Sequence, residues 1–244
     1  MKALLIGDIH GRTNWKRIVQ NNPDADQVII FGDYFDPYDF IPGYEQLRNF
    51  NRIVDFAVES KNDVVLLLGN HDLHYYSDVQ PCSRYDRNNA KVFTEAIAEA
   101  LLYMNVAHSF DDVLCSHAGV SPKWLDKWSP GWDVNNIVDH VENIHDTNIK
   151  AFGFDDEDTS NYGNNVVQGP MWIRPEALIT ASKENTQIKD KYRQVFGHTQ
   201  LDDIVLSHRS LVKFFDERFI MVDALEHGGY MVYEDGVFTP HKLK

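Results

Sequence analysis

Five short apolar runs in this chain stop abruptly at a small residue and hand over to an aspartate, an asparagine or a histidine. They read "LLIGDIHG" from Leu4, "VIIFGDYFD" from Val28, "VVLLLGNHD" from Val64, "VLCSHAG" from Val113 and "QVFGHT" from Gln194. A short apolar run bounded by Gly and polar residues is the pattern of a strand buried on both faces. Such strands belong mostly to α/β proteins, in which ligands sit in the crevice beyond the carboxyl ends of the strands. Helical patterns at about 13–21, 44–60 and 89–104 alternate with strands at 2–7, 27–32 and 64–68. That alternation predicts βαβ units and a mostly parallel sheet.

Beyond a strand at 113–116 lies a less regular, partly helical stretch from about 121 to 168. It carries Trp124, Trp128 and Trp132, a helical pattern near 134–149, and the acidic run 155–158, which reads as a solvated loop. The last third is strand-rich, through "YRQVFGHTQ", "LVKFF", "FIMVDAL" and "GYMVYEDGVFT", and Glu234-Asp235-Gly236 is a hairpin signal. No repeat, low-complexity block or linker divides the chain, so its 244 residues are expected to form one domain over 1–244 with a sizeable core. The two cysteines, Cys82 and Cys115, make neither a disulfide framework nor a CxxC motif, and Cys115 reads as a core thiol. A net charge of −14 argues against a long nucleic acid as partner. It is no bar to a phosphate-bearing substrate, because bound metal ions reverse the local field. No apolar stretch has the length of a membrane span and the first is too short for a secretory signal, so no membrane partner and a cytoplasmic location are expected.

The residues at the strand ends are metal donors. Asp8 and His10 alternate, so a bend after the strand can aim both at one ion. Asp33 offers two oxygens and can serve two ions. Asn70 supplies a neutral oxygen, and His117 and His198 supply imidazole nitrogens. Carboxylate, amide and imidazole donors without thiolate suit Mn, Fe, Zn or Co. Taken singly, each motif has an ordinary reading: Asp-x-His is commonly a surface loop, and Gly-Asn-His-Asp a turn with a helix cap. Asp72 is open between an N-cap and a site role. His74, His108, His140, His145, His208, His227 and His241 read as surface or locally bonded histidines. Five such motifs in one chain point to strand ends converging on one rim.

"GDIHG", "GDYFD", "GNHD", "SHAG" and "FGHT" resemble, in order and spacing, the calcineurin-like metallophosphoesterases. The resemblance spans Leu4 to about Gly236 and is nearest the branch of serine/threonine protein phosphatases and bacterial diadenosine tetraphosphatases. It implies an α/β four-layer sandwich of two mixed β-sheets flanked by helices, with a dinuclear metal site at the strand ends. Two divalent ions are implied, manganese first, with Fe, Zn or Co as alternatives. Asp8, His10 and Asp33 would hold one, and Asp33, Asn70, His117 and His198 the other. His71 would be the general acid, oriented by Asp36, and Asn70 and His71 would also touch substrate. The family pattern commonly has a phosphate-binding arginine after "GDxxD", where this chain has Pro37. "MWIRP" resembles a second arginine motif of the bacterial members, which makes Arg174 the expected phosphate clamp, and Gln200 departs from the Gly-His-x-His pattern of other branches and is not counted as a ligand.

The implied chemistry is hydrolysis by hydroxide held between the ions, at neutral to alkaline pH and without a phosphoenzyme. The expected activity is a phosphomonoesterase of serine/threonine-phosphatase type, acting on a phosphorylated protein or a small phosphate ester or nucleotide. Hydrolysis of dinucleoside polyphosphates or other phosphoanhydrides is the alternative, and a non-catalytic scaffold a distant one.

Overall fold

Three parallel strands, β1 (Lys2–Ile6), β2 (Gln27–Ile30) and β3 (Asp63–Leu67), form the middle of a six-stranded sheet. Leu4 pairs with Val28 and Ile29 with Val65. The computed structural model describes residues 1–155, 163–202 and 217–243. Side chains alternate across the sheet as a period of two requires. Leu4, Ile6, Val28, Ile30 and Leu66 fall in one buried cluster, with Ile18 of α1 (Trp15–Asn21), Phe50 and Ile53 of α2 (Gly43–Glu59), and Phe93 and Ile97 of α4 (Ala90–Ala100). Ala3, Leu5, Ile29, Val65 and Leu67 fall in a second cluster, facing a four-stranded sheet. Each fully buried Leu, Ile or Phe contributes about 1.5–3 kcal/mol, so both faces of these strands drive folding.

The second sheet contains β5 (Ala107–Phe110), β6 (Val113–Ser116), β7 (Arg193–Phe196) and β8 (Phe219–Met221). Its inner residues Val113, Cys115, Val195 and Ile220 complete the inter-sheet core, and burial pushes the Cys115 thiol pKa up, as suits a core residue. α5 (Pro122–Trp128) and α6 (Ile137–Thr147) contribute Trp124, Leu125, Ile137 and Val141 to the first cluster. The fold is thus two sheets flanked by helices. Both sheets are mixed: in the first, β9 (Gly229–Glu234) runs antiparallel to β1 and β10 (Val237–Lys242) antiparallel to β9, and in the second β5 runs antiparallel to β6. The β9–β10 hairpin turns at Asp235 and Gly236, as its sequence predicts.

One helix differs from expectation. "GNHDLHYY" is not only a turn: Asn70–Tyr76 form α3, with Gly69 at the N-cap. The helix is short and rich in residues of poor helix propensity, so tertiary bonds hold it. The Asp72 carboxylate accepts the N–H groups of Gly69, Asp33 and Tyr34, each at 2.8 Å, tying the helix start to the end of β2. Asp72 is therefore a brace in the first turn rather than the cap itself. The stretch from 121 is also more helical than read, since α5 and α6 both lie in it. Residues 156–158 of the acidic run, "LVKFF" and His208 lie outside the described residues. Among the described residues no helix is long and apolar enough to cross a membrane.

Candidate active site

Asp8 and His10 follow β1, Asp33 follows β2, Asn70 follows β3, His117 follows β6 and His198 follows β7. The first five of these side chains are all buried. Two of the intervening glycines are required by close approach. A Cβ on Gly69 would overlap the Asp33 carboxylate, and one on Gly197 the Asp8 carboxylate. Only glycine lets the strand-end loops bring these donors together.

The donors form two groups that share Asp33. His10 Nδ1 donates to Phe35 O at 2.7 Å, which leaves Nε2 3.6 Å from Asp33 Oδ2. His117 Nδ1 donates to Phe31 O at 2.7 Å, which leaves Nε2 3.6 Å from Asp33 Oδ1 and 3.0 Å from Asn70 Oδ1. A backbone carbonyl behind each ring thus fixes the tautomer that offers Nε2 to the site. His198 Nδ1 lies 3.0 Å from Asn70 Oδ1, while its Nε2 is buried without a hydrogen-bond partner. Donor atoms of Asp8, His10 and Asp33 lie within 4.8 Å of one another.

The electrostatics point to cations. Burial and the neighbouring Asp223 and Asp33 charges push the Asp8 pKa well above the carboxylate range. Burial and Asp33 push Asp223 up to about 7. Burial opposes ionisation of Asp33, but His117, His71 and His10 outweigh it and hold its pKa low. Burial lowers the pKa of His10 to about 4, and also lowers those of His117 and His198. Neutral imidazoles therefore surround crowded carboxylates, which cations would neutralise. The unpartnered His198 Nε2 and the mixed O/N donor set fit borderline divalent ions.

Beside this cluster, His71 Nδ1 lies 2.9 Å from Asp36 Oδ2. Asp36 also accepts from Tyr75 Oη at 2.5 Å, and its Oδ2 is 2.9 Å from His74 Nε2. Burial works against charging His71, but the Asp33 charge and the Asp36 bond outweigh it and hold its pKa above the ordinary range. Arg174, just before α7 (Pro175–Glu184), donates through Nη1 to His198 O at 3.2 Å and Thr199 Oγ1 at 3.1 Å.

Seven of the expected residues, Asp8, His10, Asp33, Asn70, His71, Arg174 and His198, line one cavity of about 580 Å³. His117 and Asp36 sit behind its wall. Gln200 instead bonds Glu226 and is exposed, in keeping with its exclusion. Two charged residues at the site are absent from the sequence reading. Asp223 follows β8 in "FIMVDAL", the same strand-then-acid signal as the other motifs. Arg84, in the loop after α3, had no signal: "PCSRYDRNN" reads as a solvated loop.

A shared carboxylate between two donor groups, set at the strand ends of a two-sheet sandwich, defines a candidate dinuclear metal centre. Residues 1–209 match the profile of the family described as calcineurin-like phosphoesterase. The chain belongs to that family. It is 30% identical over 136 residues to a symmetrical bis(5'-nucleosyl)-tetraphosphatase of Aliivibrio fischeri, covering 51% of this chain and 47% of the relative. A protein of the same description from Methylobacillus flagellatus is 27% identical over 135 residues, covering 51% and 45%. The match thus spans about half the length of these curated relatives. Among solved structures, a cold-active protein-tyrosine phosphatase of a psychrophilic Shewanella superposes with a TM-score of 0.65 at 20% identity, over all of this chain and 80% of the other. A protein serine/threonine phosphatase from Saccharomyces cerevisiae gives 0.53 at 12%, again over all of this chain and 80% of the other. These two likenesses establish the fold.

Proposed function

We propose that this chain is a metal-dependent phosphomonoesterase that uses water as nucleophile and His71 as proton donor. The observation that carries this is the His71–Asp36 pair at the wall of the cavity that Asp8, His10, Asp33, Asn70 and His198 line. Asp8, His10 and Asp33 would hold one divalent ion and Asp33, Asn70, His117 and His198 the other, with manganese the first candidate. Bound there, the ions supply Lewis-acid activation of water and of the phosphoryl oxygens.

The protein's own groups do the rest. Asp36 holds the His71 ring through Nδ1, which leaves Nε2 to protonate the departing oxygen. No side chain is asked to form a bond to phosphorus. Cys82 and Cys115 are free thiols, in keeping with the cytoplasm as the compartment of action. A second reading, cleavage of a dinucleoside polyphosphate, is favoured by the likeness to symmetrical bis(5'-nucleosyl)-tetraphosphatases. The test is turnover of p-nitrophenyl phosphate, a phosphoserine peptide and a dinucleoside tetraphosphate, before and after chelation and after return of manganese. Activity that survives chelation, or no turnover of any of the three by metal-loaded protein, overturns the proposal.

Arg174 is assigned to the phosphoryl oxygens that face away from the ions. Its fork is braced on His198 O and Thr199 Oγ1, so it reaches the cavity preorganised. Arg174→Ala is expected to cost about 2–4 kcal/mol of transition-state stabilisation, as loss of a comparable preorganised donor does. Arg174→Lys recovers part of this, because an ammonium lacks the planar fork. The measurement is kcat/KM with a small monoester, and a wild-type value for Arg174→Ala rules the clamp out.

A further inference from the structure

We infer that Arg84 contacts the leaving group and favours leaving groups that carry negative charge of their own, a second phosphate above all. The inference rests on the reading of His71 as the group beside the departing oxygen. Arg84 Nη2 lies 3.1 Å from His71 Nε2, so both atoms border the same point of the cavity. The rest of the guanidinium is fixed. Nε donates to Asp36 O at 3.0 Å, and Cζ lies 3.6 Å from the centroid of the Tyr38 ring. Its neighbours are a carbonyl, an imidazole and an aromatic face. Among the described residues no carboxylate pairs with it, so its charge is available to an anion.

The backbone supplies an independent argument. Seven non-glycine residues among those described have left-handed φ values. Asp111 and Asp235 sit in the turns of two hairpins. The other five are His10, Asp33, Asp36, His198 and Arg84, at φ values between 42° and 65°. Four of these are site residues on other grounds. A side chain with a Cβ is disfavoured in this region, and such strain gathers where function fixes a side chain. Arg84, at 65°, carries the largest of the five φ values.

The surroundings show where the leaving group goes. Arg84 and Tyr38 also line a second cavity, formed by residues 36–43, Gln46, Asp86, Asn88 and Asn89, so they stand on the boundary between the two. On that side the exposed rings of Tyr38 and Phe40 flank the path outward. Arg174 is anchored instead on the loop after β7. The two arginines thus divide the substrate, Arg174 serving the phosphoryl group transferred and Arg84 the group that departs. When a phosphoanhydride is split, the P–O bond to the bridging oxygen breaks and its electron pair stays on the departing phosphate. A fixed guanidinium meets that charge with charge-assisted hydrogen bonds. An alcohol that leaves as a neutral molecule, protonated by His71, gives Arg84 nothing comparable to hold.

The experiment compares manganese-loaded wild type, Arg84→Ala and Arg84→Gln on a dinucleoside tetraphosphate and on a simple alkyl phosphate, whose alcohol leaves uncharged. Gln is the second variant because its amide can still donate toward Asp36 O without the charge. Both variants should lose about 10- to 100-fold in kcat/KM on the tetraphosphate, the range for a hydrogen bond to a charged group. On the alkyl phosphate they should stay within about threefold of wild type. Calorimetry adds a readout that needs no turnover: affinity for inorganic pyrophosphate should fall in both variants while affinity for inorganic phosphate holds. Equal losses on both substrates, or on both anions, overturn the inference and make Arg84 a general clamp or a loop staple. An error about His71 shows elsewhere, in the response of His71→Asn to leaving-group basicity.

Discussion

His71→Asn should leave metal binding intact and slow hydrolysis of an alkyl phosphate by about 10²–10⁴-fold, the usual range for loss of a general acid. Asparagine removes the proton donor while keeping a polar side chain in α3. The His71 ring is not what positions Asp33, which accepts the His71 backbone N–H at 2.9 Å. An alkoxide is a poor leaving group and needs its proton, whereas p-nitrophenolate departs without one. The loss should therefore be far smaller on p-nitrophenyl phosphate. A loss of equal size for both leaving groups contradicts the acid role, and metal content measured on the same samples separates this outcome from a damaged centre.

The second large effect is expected at Asp33. Its Oδ2 faces His10 and its Oδ1 faces His117, each at 3.6 Å, so one side chain serves both donor groups. Asp33→Asn keeps the shape and removes the charge. Metal affinity should fall by more than the roughly 10–100-fold typical of residues that only support a ligand. Both ions should be affected, not one. Equilibrium dialysis with manganese checks this: two ions bound at wild-type affinity in Asp33→Asn would show that Asp33 is not shared, and activity should track occupancy.

Most of the residues that the structure brings together at the candidate site were readable because they coincide with strong local signals. Strands buried on both faces must be continuous apolar runs, and a loop that brings carboxylates together must contain glycine where no Cβ fits. Gly69 and Gly197 therefore marked the places where Asp33 and Asp8 approach. What could not be read depends on bonds between distant parts of the chain. α3 stands because Asp72 braces the end of β2, and no periodicity in seven residues announces that. Arg84 gains its place from Asp36 O and the Tyr38 ring, 48 and 46 positions earlier in the chain. Asp223 is a different case, since its signal was present and its strand was recognised, but its carboxylate was not weighed with the others.

The donors do not come from one sheet. Asp8, His10, Asp33 and Asn70 stand at the ends of β1, β2 and β3, while His117 and His198 stand at the ends of β6 and β7 in the other sheet. His117 Nδ1 to Phe31 O and His198 N–H to Asp8 already stitch the two together. A cation held by both halves binds only when they are docked, so it stabilises the docked state by mass action, about 1.4 kcal/mol for each tenfold rise in free ion above Kd. If the proposed donors hold metal, its supply would act as a thermostat on the protein's lifetime as well as on its chemistry. A metal-starved cell would then hold a protein that is less durable as well as idle.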